Sequence, residues 1–143
     1  MLVRLMYASR ATGAVEQEEL LNILRQSRAN NPPQGVTGVL CVCPVSGIYL
    51  QVLEGGRSTV NALYRRIASD PRHTAVELLS YDEITERRFA GWAMGQVDMS
   101  RLNPALLLKY SEKPQLDPYS LPATASMALL LELMATASVV GNN

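Results

Sequence analysis

Two apolar runs, Val36 to Cys43 and Ile48 to Leu53, stand only four residues apart in this chain and constrain its fold more than any other feature. Both are of strand length and rich in β-branched residues, and Pro44-Val45-Ser46-Gly47 between them reads as a turn. The pair is therefore expected to form a hairpin of two buried strands. One residue does not belong there. Gln51 places a primary amide in the middle of the second run, and such a group costs about 1–3 kcal/mol when its donors and acceptor lack partners. Any fold that buries the hairpin must also supply something for Gln51 to bond.

The flanking segments say which fold that is. Val3, Leu5 and Tyr7 alternate with Arg4 and Met6, a period of two that marks a first strand. From Val15 to about Asn30 an acidic start at Glu16, Glu18 and Glu19 and basic residues Arg25 and Arg28 later on suit a helix macrodipole. Leu20, Leu24 and Ser27 share one face of that helix, Asn31 falls close to the same stripe, and Pro32-Pro33 ends it. Gly55-Gly56 breaks the hairpin pattern. Val60, Leu63, Tyr64 and Ile67 then mark a second helix, stopped before Asp70-Pro71. Val76 to Tyr81 gives a fourth strand, and Trp92, Met94 and Gln96, alternating with Ala93, Gly95 and Val97, a fifth.

The order βαββαββ predicts an α+β fold on a ferredoxin-like plan, with a five-stranded mixed sheet and two helices on one face. Residues 1–98 form this domain and residues 99–143 a helical extension. Ala125 to Ser138 is apolar nearly all the way round, so this tail helix must be covered, by the second face of the sheet or by another copy of the chain.

Charge and cysteine content exclude several functions. Thirteen basic residues balance thirteen acidic ones, so there is no cationic footprint for nucleic acid. The longest apolar stretch, Met127 to Val140, is interrupted by Glu132 and is shorter than the roughly 20 residues a bilayer requires. With no secretory pattern at the N-terminus, a cytoplasmic location is expected. Cys41 and Cys43 supply at most half of a metal site, and they are read as small apolar fillers of a strand. The single His73 lacks a nucleophile or acid partner and is read as structural; Glu54, Glu77, Asp82 and Glu83 are read as solvated strand ends. No catalytic set emerges, and the chain is not expected to be an enzyme.

Tyr7 is the candidate partner for Gln51, because a phenol both donates and accepts, and the first and third strands lie side by side on this plan. By itself the pair is more readily a core hydrogen bond than one wall of a ligand site, because buried polar side chains are usually satisfied for structural reasons. Further motifs bear on the choice. Tyr7-Ala8-Ser9, Asn30-Asn31, Gly35-Val36-Thr37-Gly38-Val39-Leu40, Gln51-Val52-Leu53-Glu54-Gly55, Asp70-Pro71-Arg72-His73 and Arg88-Phe89-Ala90-Gly91-Trp92-Ala93-Met94 occur in this order. Together they resemble the BLUF family, the sensors of blue light using flavin, over about the first hundred residues. Leu108-Lys109-Tyr110-Ser111 and the apolar helix after it are similar to the tails of short, stand-alone, mostly bacterial members without a fused output domain.

The resemblance implies a flavin held without a covalent bond between the two helices, with FAD the family's usual guest and FMN the alternative. Asn30, Asn31 and Gln51 would bind it, with Ser27 and Arg66 as weaker contacts. Tyr7, Gln51, Trp92 and Met94 would form the photoactive switch. Light drives electron and proton transfer from Tyr7 through Gln51, whose rearranged amide shifts flavin absorption to the red. Trp92 and Met94, expected on one side of the fifth strand, would carry the change outward. Short members also imply a homo-oligomer that signals in trans to a separate response-regulator-like protein. The competing reading is a colourless ferredoxin-like module similar in plan to an acylphosphatase, which fold alone does not exclude.

Overall fold

The computed structural model describes residues 1–13, 17–43, 46–97, 99, 103–136 and 139–140. Glu16, the Pro44-Val45 part of the hairpin turn and the boundary residue Asp98 lie outside the described residues, as do the side chains of Glu18, Glu19 and Leu20.

The chain runs β1 (Leu2–Ala11), α1 (Gln17–Asn30), a 3-10 turn (Pro32–Gln34), β2 (Thr37–Cys43), β3 (Ile48–Gly56), α2 (Arg57–Ala68), β4 (His73–Ile84), β5 (Gly95–Val97), α3 (Pro104–Tyr110), α4 (Ala123–Thr136) and β6 (Val139–Val140). The strands form one mixed sheet in the order β4-β1-β3-β2-β5-β6. Its first four strands have the ferredoxin-like arrangement, with β3 antiparallel to both β1 and β2 and β4 antiparallel to β1. β5 adds in parallel to β2, and β6 pairs antiparallel with β5. A short strand thus follows α4 close to where the tail helix was expected to finish.

The hairpin occupies the sheet centre, as its apolar runs demand. Val39, Leu40, Cys41 and Val42 are buried, and so is every residue of β3 from Ile48 to Gly55. Alternation divides them between two cores. Val3, Leu5, Tyr7, Leu40, Tyr49 and Leu53 face α1 and α2, where they meet Leu24 and Val60. Met6, Val39, Cys41, Ile48, Leu50 and Val52 face the other way and are covered by Phe89, Val97, Leu107, Leu116, Leu129, Leu130 and Leu133. The tail helix therefore packs on its own sheet. Each leucine buried there contributes about 1.5–3 kcal/mol, a gain available only because β2 and β3 are apolar on both sides.

Local chemistry sets the element ends. Gly35 closes the 3-10 turn at φ 73°, a left-handed conformation that favours glycine, and its N–H donates to the Pro32 carbonyl at 3.0 Å. The Asn103 side chain caps α3 by accepting from the Ala105 N–H at 3.0 Å, with Pro104 in the first turn. At Gly38 the backbones come so close that a Cβ would lie 2.0 Å from the Val52 carbonyl oxygen.

Three expectations change. The fifth strand begins at Gly95 and not at Trp92, because the Trp92 N–H closes a turn onto the Phe89 carbonyl at 3.0 Å. The fourth strand is longer than Val76 to Tyr81 and takes in His73. Glu54 is not a solvated strand end: it is fully buried.

Candidate functional site

A cavity of about 460 Å³ opens between α1, α2 and the sheet, within the roughly 300–1,000 Å³ usual for small-molecule sites. Ile23, Gln26, Ser27 and Asn30 line it from α1, and Leu63, Arg66 and Ile67 from α2. Tyr7, Leu40, Tyr49, Gln51 and Leu53 form its floor. Asn31, Gln34, Asp70, Arg72 and His73 complete the rim.

The polar pair on the floor follows from strand register. Tyr7 and Gln51 are cross-strand partners in the β1–β3 ladder, so both side chains project from the same face. The Tyr7 O–H donates a short hydrogen bond to Gln51 Oε1. The Gln51 amide nitrogen in turn points at Met94 Sδ, 3.2 Å away. Tyr7 and Gln51 are almost wholly buried, at 2% and 6% exposure. Removal from water pushes the Tyr7 phenol well above the ordinary tyrosine range, and the neighbouring Tyr49 and Tyr64 add to the effect. The shift favours the neutral phenol. Tyr64 packs beside it, ring centroids 5.6 Å apart.

Asn31 begins the 3-10 turn yet makes no side-chain capping bond. The residue is 5% exposed and forms part of the cavity wall, so its amide, free of a capping role, is available to a bound molecule. Asn30, Ser27 and Arg66 border the same space. At the rim, Arg72 Nη2 lies 2.6 Å from Asp70 Oδ2, and this bond holds the Asp70 carboxyl below the usual carboxylate range. Carboxamides on two sides of a cavity with a buried floor suit a flat heteroaromatic edge that carries carbonyls and an imide N–H. The residues present fit a flavin ring.

Trp92 is the departure. Met94 belongs to the core around Tyr7, whereas Trp92 packs against the opposite core, the one closed by the tail. The strand rule placed them on one side, but residues 92–94 precede β5 and do not obey its alternation. Instead the Trp92 ring lies over Gly95, where a Cβ would come within 2.0 Å of it, and the Trp92 carbonyl accepts from the Gly38 N–H at 3.0 Å. Arg28 on α1 donates from Nε to the Met94 carbonyl at 3.3 Å. Met94 is thus held at its side chain by the sheet and at its backbone by a helix.

Sequence reasoning missed Tyr49 and His73. Tyr49 stands two residues before Gln51, so alternation alone puts it on the cavity face. His73 is more than structural filler in a turn: it opens β4 and borders the cavity, with its Nδ1 2.9 Å from Ser9 Oγ and its ring edge-on to Tyr49 at 5.0 Å. Cys41 is buried and Cys43 half-buried, both as free thiols. Burial pushes the Cys41 thiol up to about 12, which leaves it unreactive. Among the described residues there is no cluster of metal-ligating side chains, and no helix is long and apolar enough to cross a membrane.

Comparison with known proteins agrees with this geometry. The family model described as sensors of blue-light using FAD matches residues 2–95. The photo-activated state of BlsA superposes with a TM-score of 0.82 at 29% identity, covering 96% of this chain and 99% of that one. The dark state of BlrB, a BLUF protein, gives 0.75 at 32% identity, covering 94% and 95%. The beta subunit of the photoactivated adenylate cyclase of Euglena gracilis is 38% identical over 86 residues, which are 60% of this chain and 10% of the cyclase. The chain thus spans about a tenth of the length of that curated relative, and the cyclase activity is a property of that larger protein. With a cavity, a tyrosine–glutamine floor and a family match over the same strands and helices, the chain belongs to the BLUF family of blue-light sensors that use a flavin.

Proposed function

We propose that this protein is a blue-light photoreceptor in which Tyr7 and Gln51 form a hydrogen-bond switch beside a non-covalently held flavin, FAD in first place. The observation that carries the reading is the continuous chain from the Tyr7 O–H to Gln51 Oε1 and from Gln51 Nε2 to Met94 Sδ, with Tyr7 and Gln51 on the floor of a cavity of small-molecule size. Asn30, Asn31 and Gln51 bind the ring through their amides, and Ser27 and Arg66 contact it more weakly. The bound flavin supplies blue-light absorption and an acceptor for an electron from Tyr7.

The remaining work falls to the chain's own groups. As a neutral phenol, Tyr7 keeps a proton to give, and its bond to Gln51 directs that proton to Oε1. Gln51 has two stable arrangements, because an amide turned end for end, or converted to its tautomer, exchanges donor for acceptor on both sides. In the alternative arrangement the contact with Met94 Sδ is lost, so the state of the amide is felt at the entrance to β5. No substrate is turned over. A partner that binds one arrangement better reads the difference, and a coupling of a few kcal/mol suffices.

We place that output in trans, on a separate response-regulator-like protein in the cytoplasm, with the chain self-associating through its tail. The half-buried Met127, Leu131 and Met134 of α4 support self-association, since they remain partly uncovered by the sheet. The family match favours the sensor over a colourless acylphosphatase-like module.

The test is an absorption spectrum before and after blue light. The wild-type protein should be yellow and show a small, reversible red shift, and Gln51→Leu should show none. A shift of wild-type size in Gln51→Leu removes the switch, and one that survives in Tyr7→Phe removes the role of Tyr7 as donor.

A further inference from the structure

Glu54 is a fully buried carboxylate that the proposed switch does not use. It stands three residues after Gln51 on β3, on the opposite face of the sheet. Its Oε2 accepts from Arg4 Nε–H at 2.7 Å and from the Arg88 backbone N–H at 3.0 Å, and its Oε1 accepts from the Phe89 N–H at 2.7 Å. Two consecutive amides of the connection between β4 and β5 therefore converge on one charged group. Hydrogen bonds to an ionised acceptor are roughly twice as strong as neutral ones. Three of them in a dry site fix residues 88 and 89 to the centre of the sheet.

We propose that Glu54 is a positioning residue, the anchor that converts a change at Gln51 into movement of Trp92. The inference rests on Gln51 being the light-driven switch. When the Gln51 amide releases Met94 Sδ, the displacement must be absorbed somewhere in residues 85–94. Glu54 holds the upstream part, and the buried Phe89 side chain adds to that hold. Movement is thereby confined to the short stretch between Phe89 and Met94, where the Trp92 backbone is bonded to Gly38 and Phe89 and its side chain is left to follow. Released from Glu54, the upstream part would yield instead, and Trp92 would no longer follow Gln51. The Arg87–Thr37 side-chain bond, at 3.1 Å, tethers the same connection but leaves the two amides untouched.

Trp92 is the chain's single tryptophan, so its fluorescence reports the site without interference from another. In wild type, blue light should change Trp92 emission together with the flavin red shift. Glu54→Gln offers one acceptor where two N–H groups and a guanidinium need it. It should keep the dark spectrum and the red shift, while the light-minus-dark change in Trp92 emission falls roughly tenfold, as expected for losing a charge-assisted bond. Thr37→Val should retain that change. Should Glu54→Gln fail to fold, Arg4→Met/Glu54→Gln removes both charges at similar volume and carries the same expectation. A folded variant with a wild-type Trp92 response overturns the anchor. So does loss of the red shift in the variant, or a wild-type red shift without any Trp92 response. Absence of a red shift in wild type instead strikes the switch itself.

Discussion

The two faces of the central hairpin are made from the same strands and differ by one residue of alternation, yet one is filled and the other is hollow. On the tail side Met6, Val39, Leu50 and Val52 meet leucines of α3 and α4 and leave a dry core. On the helix side Tyr7 and Gln51 interrupt the apolar surface, and α1 and α2 stand far enough apart to leave about 460 Å³. Tight packing and the ligand cavity are thus assigned to opposite faces. Substitutions of the apolar residues on one should change how firmly the molecule folds, and those on the other what it can hold.

The strongest challenge to this division is Leu130→Ala on the tail side. It should cost about 2–5 kcal/mol of stability in denaturant titration and leave the dark flavin spectrum in place, and a moved absorption band would show that the faces are not separate. Asn31→Ala should do the reverse. With no capping bond to lose, the apoprotein should unfold at the same denaturant concentration, while flavin affinity measured by titration falls about tenfold.

Tyr7→Phe tests the floor by pH. The phenol's folded-state pKa lies above its ordinary 10.0, so its contribution is complete below about pH 10 and declines as alkali ionises the unfolded chain first. Wild type should therefore lose stability above that pH more steeply than Tyr7→Phe, as measured by thermal unfolding across the alkaline range. The smallest effect is expected from Met94→Leu, which keeps volume and removes only the N–H···S contact. Stability should move by less than about 1.5 kcal/mol while the rate of return to the dark spectrum changes. An unchanged rate would detach Met94 from the switch.

What could be read in advance was whatever rested on local periodicity. Gln51 is visible as a polar break in an apolar run, and its register with Tyr7 follows from alternation once the first and third strands are neighbours. The helix stripe ending at Asn31 follows from the spacing of Leu24 and Ser27. The misplacements share a different cause. Trp92 looks like strand because its neighbours alternate, but a hydrogen bond back to Phe89 turns the chain before pairing with β2 begins. Glu54 resembles any charge at a strand end, since its partners lie 50 residues before it and 34 and 35 residues after. His73 reaches the cavity only because β4 extends further toward its own beginning than its apolar residues suggest.

Ala75 holds a further consequence. It sits at φ 50° in β4, where the register with β1 slips, and its carbonyl is taken by the Tyr119 O–H at 2.8 Å while Arg10 lies over the Tyr119 ring at 4.9 Å. β4 is the outermost strand on that side, and an outermost strand with a regular backbone invites a foreign strand to dock beside it. A kink whose carbonyl is already claimed by the tail breaks the template at that point. The stitch that fastens the extension to the sheet thus also discourages the molecule from growing into an aggregate along its open border.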